Sequence, residues 1–182
     1  MNSDLLIEYL LKHKQSLSIA ESCTGGYLSH IITKQNGSSK YFTGSVVAYS
    51  NNIKENILKV NNNDINKYGA VSKQVVEQMA KGVREKLNSD FSIATSGIAG
   101  PDGGSKEKPV GTIWIAISSK SKTISKMLSL NGTREDNIKQ SSYKALELLE
   151  TLLVWLILNF ISKLTIIAIK AQTGTEALSV SK

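Results

Sequence analysis

Leu17-Ser18-Ile19-Ala20 is a short apolar run that breaks at Glu21-Ser22-Cys23-Thr24-Gly25-Gly26 and resumes as Tyr27, Leu28, Ile31 and Ile32 at helical spacing. A compact apolar run that passes across paired glycines into helical periodicity predicts a strand, a tight turn and a helix. The same alternation recurs. Phe42 to Tyr49 reads as β-rich, and Ser50-Asn51-Asn52 caps a helix carrying Ile53, Ile57 and Leu58. Ser72 caps a longer helix with Val75, Val76, Met79, Ala80, Val83 and Leu87 at core spacing, and Phe91 to Ser96 reads as a buried strand. Strands that alternate with helices predict a layered α/β domain.

Two further runs, Val110 to Ile117 and Thr123 to Leu130, are joined by a turn too short for a crossover. That pair is therefore antiparallel and the sheet mixed. Residues 3–13 predict an amphipathic helix with Leu5, Leu6, Tyr9 and Leu10 on one face, and Asn61 to Asp64 predicts a turn. A last helix starts near Arg134 and runs through Ala145, Leu149 and Leu152. Its continuation, Thr151 to Ile169, approaches the length of a membrane span, but Lys163 inside it argues against insertion. A buried helix followed by an extended segment, packing against a second subunit, is expected there, then a disordered tail over 171–182. The domain is placed at 1–155 and an extension of unknown role at 156–182.

The chain has 182 residues, enough for one core, and its 41% apolar but 6% aromatic content suits an aliphatic α/β domain. One cysteine excludes an internal disulfide, and Asn2-Ser3-Asp4 before an amphipathic segment is unlike a signal peptide, so a cytoplasmic location is expected. Two histidines, with neither an HExxH nor a CxxC pattern, predict no metal site. Lys and Arg exceed Asp and Glu by 22 to 15, a formal charge of +7. The basic residues are scattered and no aromatic platform interleaves with them, so a lysine-rich surface is expected rather than nucleic-acid binding.

Three stretches at strand ends carry chemistry. Ser22, Cys23 and Thr24 either cap a helix or place a nucleophile in a turn whose amides, Cys23 to Gly26, hold an oxyanion. Cys23 competes as nucleophile, because a thiol at a helix start has a depressed pKa. Lys54 sits about one turn into the helix after the second strand. It is either a solvated surface lysine or a desolvated base facing Ser22. Gly97, Gly100, Gly103 and Gly104 form a dense loop with neither Walker A nor dinucleotide spacing. Such a loop admits close backbone approach to a phosphate or carboxylate.

The order of motifs is more specific than any one of them. Ala20 to Gly26, Val47-Ala48-Tyr49-Ser50-Asn51 with Lys54, Gly69-Ala70-Val71-Ser72, Gly97-Ile98-Ala99-Gly100-Pro101 and Pro109-Val110-Gly111-Thr112 together resemble the CinA C-terminal domain family. That family includes the PncC-type nicotinamide-nucleotide amidohydrolases, and the resemblance covers about residues 3–153. It implies a three-layer α/β/α fold with a mixed, about five-stranded sheet, and a homodimer. The implied activity is hydrolysis of nicotinamide mononucleotide to nicotinate mononucleotide and ammonia in pyridine nucleotide salvage. No cofactor, metal, nucleic acid or membrane is implied. The family's nucleophile falls on Ser22 and its base on Lys54. Tyr49 matches a site tyrosine, Ser96 a site hydroxyl that is Thr in many relatives, and Arg134 an arginine after the fifth strand; Gly97 and Gly100 lie in the substrate loop. One departure stands out. The usual Gly-Asp-Arg is Gly132-Thr133-Arg134 here, which leaves Arg134 without its expected carboxylate and motivates the alternative of a non-catalytic nucleotide-binding or competence-related partner domain.

Overall fold

The computed structural model describes residues 3–179, with side chains described from Leu6 to Thr165. Two compact units divide at residues 149 and 150. The first holds a five-stranded sheet in the order β2-β1-β3-β4-β5. Its elements are α1 (Ser3–Lys12), β1 (Leu17–Glu21), α2 (Tyr27–Thr33), β2 (Phe42–Val47), α3 (Asn51–Leu58), α4 (Asn62–Tyr68), α5 (Lys73–Lys86), β3 (Phe91–Gly97), β4 (Thr112–Ser119) and β5 (Thr123–Ser129), followed by the start of α6 (Arg134–Ser179). β1 runs parallel to β2 and β3, whereas β3, β4 and β5 are successively antiparallel, so the sheet is mixed. The domain is a three-layer α/β fold.

The two faces of the sheet differ in side-chain size, and this sets the layers. Register places Ser18, Ala20, Ser92, Ala94, Ala116 and Ser118 on one face, all buried. Their small side chains let α5 lie close, and Ser92 Oγ donates to the Ala80 carbonyl across the gap at 2.6 Å. Ile19, Ile93, Ile113, Ile115 and Ile117 fill the opposite face, also buried. Large aliphatic groups there meet the side of the sheet covered by α2, whose Leu28 and Ile31 are buried. Alternate residues along each strand thus build two unlike cores.

On the α5 side, α3 packs against α5 so closely that a Cβ on Gly82 would sit 1.9 Å from the Leu58 carbonyl oxygen. Only glycine permits that approach, and it fixes the helix that carries Lys54. Ser50 caps α3 by accepting from the Ile53 amide, and Ser72 caps α5 by accepting from Val75. The expected turn at 61–64 is instead the start of α4. Asn61 accepts from the Asn63 amide as its cap, and Ile65 is buried. Cap-forming asparagines begin a short helix here because one apolar residue in the next turn has a core to enter.

The second unit, residues 150–182, is the continuation of α6, helical to Ser179. The expected extended segment and the part of the tail over 171–179 are therefore helical; residues 180–182 lie outside the described residues. No Gly or Pro interrupts the sequence from Arg134 to Thr173, so nothing in the backbone ends the helix. The segment is buried as expected only at its start, where Leu152 and Leu153 are covered; Val154, Leu158, Phe160, Ile161 and Leu164 are all exposed.

Candidate active site

The carboxyl ends of the parallel strands β1, β2 and β3 bring the three chemistry-bearing stretches together, as the ends of strands in open α/β sheets do. Backbone pairing runs one residue past the strands: Ser22 N–H donates to the Thr95 carbonyl, and Ala48 N–H to that of Glu21. Ser22 and the start of the β2–α3 connection are thereby held side by side.

Lys54 enters this gap from α3. It is 1% exposed. Its Nζ donates to Ser22 Oγ at 3.0 Å, to the Ala48 carbonyl at 2.8 Å and to the Tyr49 carbonyl at 3.3 Å. These three acceptors match the three protons of an ammonium. A neutral amine would keep the two carbonyl bonds and turn its lone pair to the Ser22 hydroxyl. Burial lowers the Lys54 pKa from the ordinary lysine value, which favours that neutral form. The reading of Lys54 as a solvated surface lysine does not describe this geometry.

Cys23 is buried, and burial pushes its thiol up to about 12. The expected low pKa of a helix-start thiol is overturned, because desolvation outweighs the neighbouring amides. A thiol held protonated is a poor nucleophile beside a serine that touches a buried amine.

The turn itself departs from expectation in a second way. Glu21, fully buried, was not singled out by its sequence context, yet its carboxylate accepts from the Gly26, Leu28 and Ser29 amides and from the Ser29 hydroxyl. Gly25 N–H donates to the Ser22 carbonyl. The helix-start amides of Gly25 and Gly26 are thus already committed and do not face an oxyanion. Those of Cys23 and Thr24 have no acceptor among the described residues, and Cys23 lines the cavity. Gly25 and Gly26, at φ 58° and 104°, supply the left-handed backbone that wraps the turn around the carboxylate. The Thr24 hydroxyl bonds that of Thr95 at 2.7 Å and locks the turn to β3. Glu21→Gln would point an NH2 group at the Gly26 and Leu28 amides or, flipped, at the Ser29 amide. It is expected to lower stability by about 2–3 kcal/mol, read from urea unfolding, and to reduce the reactivity of Ser22 toward a phosphonofluoridate at 25 °C. Unchanged labelling in a destabilised protein would show that Glu21 only supports the fold.

A cavity of about 280 Å³ is lined by Ser22 and Lys54 together with Tyr49, Ser96, Arg134 and residues of the 97–103 loop. Ser96 is buried and donates to the Ala70 carbonyl, so its hydroxyl fixes the 69–72 turn beside the cavity. Tyr49, placed with the catalytic pair by sequence, contributes its carbonyl to Lys54. Its exposed ring carries a hydroxyl that accepts from Arg134 at 3.0 Å, so the side chain belongs to the rim. Arg134 also donates to the Gly100 carbonyl at 2.7 Å. Its missing carboxylate partner is replaced by these two.

Thr133 takes the place of the aspartate as the cap of α6. Its Oγ1 accepts from the Asp136 amide while Asp136 accepts from the Thr133 amide and hydroxyl, a reciprocal capping box. The hydrogen bond from Thr133 is the main cause that lowers the Asp136 pKa. Asn137, unnoticed in the sequence, is fully buried and donates to the Ala99 and Gly132 carbonyls. A peptide's C=O and N–H point oppositely, so anchoring the Ala99 carbonyl turns the Gly100 amide away from Asn137. The amides of Ala99, Gly100, Asp102 and Gly103 have no acceptor among the described residues. The loop is therefore rich in unpaired donors beside a guanidinium. Among the described residues no cluster of His, Cys, Asp and Glu could hold a metal ion.

Comparison with known proteins places the chain in a family. The family model of the CinA C-terminal domain matches residues 2–153. A CinA-like protein of Cytophaga hutchinsonii is 48% identical over 141 residues, 78% of this chain and 34% of that protein. Another, from Prochlorococcus marinus, is 50% identical over 137 residues, covering 75% and 32%. The chain thus spans about a third of the length of these curated relatives. Among solved structures, the competence damage-inducible protein A of Klebsiella pneumoniae superposes with a TM-score of 0.80 at 31% identity over 84% of this chain and 94% of that one. Competence/damage inducible protein CihA of Agrobacterium tumefaciens gives 0.81 at 33%, over 82% and 92%. With the family model matching most of its length, the chain belongs to the CinA C-terminal domain family.

Proposed function

We propose that the chain hydrolyses the carboxamide of nicotinamide mononucleotide to nicotinate mononucleotide and ammonia, by a Ser22–Lys54 mechanism. The observation that carries this reading is the 3.0 Å pair of a buried amine and a serine hydroxyl at the base of a cavity. Neutral Lys54 takes the hydroxyl proton as Ser22 Oγ bonds to the amide carbon. The Cys23 amide is assigned to the resulting oxyanion, an interaction worth about 3–4 kcal/mol in comparable sites. Collapse breaks the C–N bond, and the Lys54 ammonium returns its proton to the departing ammonia. Water then attacks the acyl ester with Lys54 again as base, and the proton passes back to Ser22. The mononucleotide phosphate is assigned to the amides of Ala99, Gly100, Asp102 and Gly103 and to Arg134, which supply N–H donors and a positive charge.

Incubation with nicotinamide mononucleotide and an ammonia assay tests the reading, with calorimetry of nucleotide binding alongside. Ammonia release is expected from the mononucleotide and much less from free nicotinamide, which lacks the phosphate. Binding without turnover would instead favour a nucleotide-binding domain without catalysis. The Thr133 capping box removes one motive for that alternative, since the altered residue serves the helix rather than the cavity. Arg134→Ala is expected to raise KM about 10- to 100-fold with a smaller change in kcat, the range of a lost charged hydrogen bond. An equal fall in kcat at unchanged KM would move Arg134 from substrate binding to the chemical step. Location in the cytoplasm, action as a homodimer and a place in nucleotide salvage belong to the same proposal.

A further inference from the structure

The continuation of α6 has an apolar surface that the site does not use. Arg134–Thr165 is long and apolar enough to cross a membrane, and only 28% of its most apolar stretch is buried. A core helix of a globular domain would be mostly covered. Between Glu150 and Lys170 lie nineteen residues with a single charge, Lys163. Leu152 and Leu153 are buried, which leaves 154–169, about 24 Å at the helical rise against the roughly 30 Å of a bilayer's hydrocarbon.

Three features distinguish a lipid environment from a protein groove. First, Val154, Leu158, Phe160, Ile161 and Leu164 are between 50% and 64% exposed. At about 100° per residue they spread over nearly half the helix circumference, wider than the narrow seam a paired helix presents. Second, the polar side chains in the run are satisfied within the helix. Asn159 Nδ2 donates to the Trp155 carbonyl, Ser162 Oγ to that of Asn159, and Thr165 Oγ1 to that of Ile161. Polar groups bonded back to their own backbone suit a solvent without hydrogen-bond partners. Third, Lys163 is about 10 Å from the Lys170 end by helical rise, near enough for its ammonium to reach toward the headgroups. Its cost offsets roughly six or seven aliphatic residues, and 154–169 holds ten Leu, Ile, Val and Phe.

We propose that residues 154–169 insert into a lipid bilayer and anchor the domain at a membrane surface. Both Lys163 and the family resemblance weigh against insertion in the sequence, and only the first bears on this segment, which lies beyond the matched residues. The test is flotation of the full chain in a density gradient after detergent removal in the presence of phosphatidylcholine vesicles, followed by washes in 1 M salt and alkaline carbonate. The protein is expected to float and to resist both washes. Leu158→Lys combined with Ile161→Asp is expected to shift it at least about tenfold toward the lipid-free fraction, because each charge is costly near the bilayer centre. A chain that remains lipid-free as a dimer or larger assembly by light scattering would overturn the proposal in favour of a second copy covering the helix. So would protein that sinks as aggregate, or that floats only with anionic vesicles and is released by salt.

Discussion

Replacement of Ser22 by Ala is expected to lower ammonia release from nicotinamide mononucleotide by about four to six orders of magnitude while nucleotide affinity changes less than threefold. The size of the effect follows from the role. The hydroxyl forms the bond that makes an acyl intermediate, and no neighbouring group replaces it: Cys23 beside it is held protonated by burial. Binding should survive because the cavity's donors, on the 99–103 loop and Arg134, do not depend on the hydroxyl. Cys23→Ser is the matched control, expected to retain activity within about tenfold, since a side chain of similar size in the same place leaves the Cys23 amide where it is. Activity kept by Ser22→Ala and lost by Cys23→Ser would reverse the assignment.

Lys54→Met is expected to cost about 10²–10⁴ in kcat, the range of a lost general acid–base. Lys54→Arg should be equally inactive, because guanidinium stays protonated and has no lone pair for the serine proton. The pH dependence separates a base from a mere positive charge. Burial depresses the Lys54 pKa, so kcat/KM should rise with pH on a limb whose midpoint lies below the ordinary lysine value, then level off. Stability follows with a defined sign. Between the folded and the higher unfolded pKa the unfolded chain binds more protons, so stability rises with pH through that window. Below it the full cost of burying the ammonium applies. Lys54→Met should lack this segment of the urea-midpoint curve, and a mutant that keeps it would show that another group titrates there.

The sequence carried the layered fold because each element has a local cause. Alternating strand and helix patterns, the capping residues Ser50 and Ser72, and the short β4–β5 connection are all readable over a few residues. It erred where local signals are silent about surroundings. Asn61 to Asp64 looked like a turn, and became α4 because Ile65 finds a buried position. Gly25 and Gly26 looked like oxyanion donors, and instead wrap Glu21, whose carboxylate is an ordinary surface group by composition. Asn137 gave no signal either, since a buried amide that holds a loop has no spacing rule. A glutamate that opens a helix-start turn, and an asparagine one turn into a helix opposite a glycine loop, are the only hints.

By itself the sequence determined which residue types were available and which short segments they would form, since propensity, caps and hydrophobic period act over neighbours in the chain. The tertiary structure decided that Ser22 and Lys54, 32 residues apart, are 3.0 Å apart in space, that the amine loses protonation tendency by burial, and that Glu21 rather than a substrate occupies the α2 amides. Those are properties of desolvation and of contacts across strands. They exist only once the sheet has closed water out of the gap between β1 and α3.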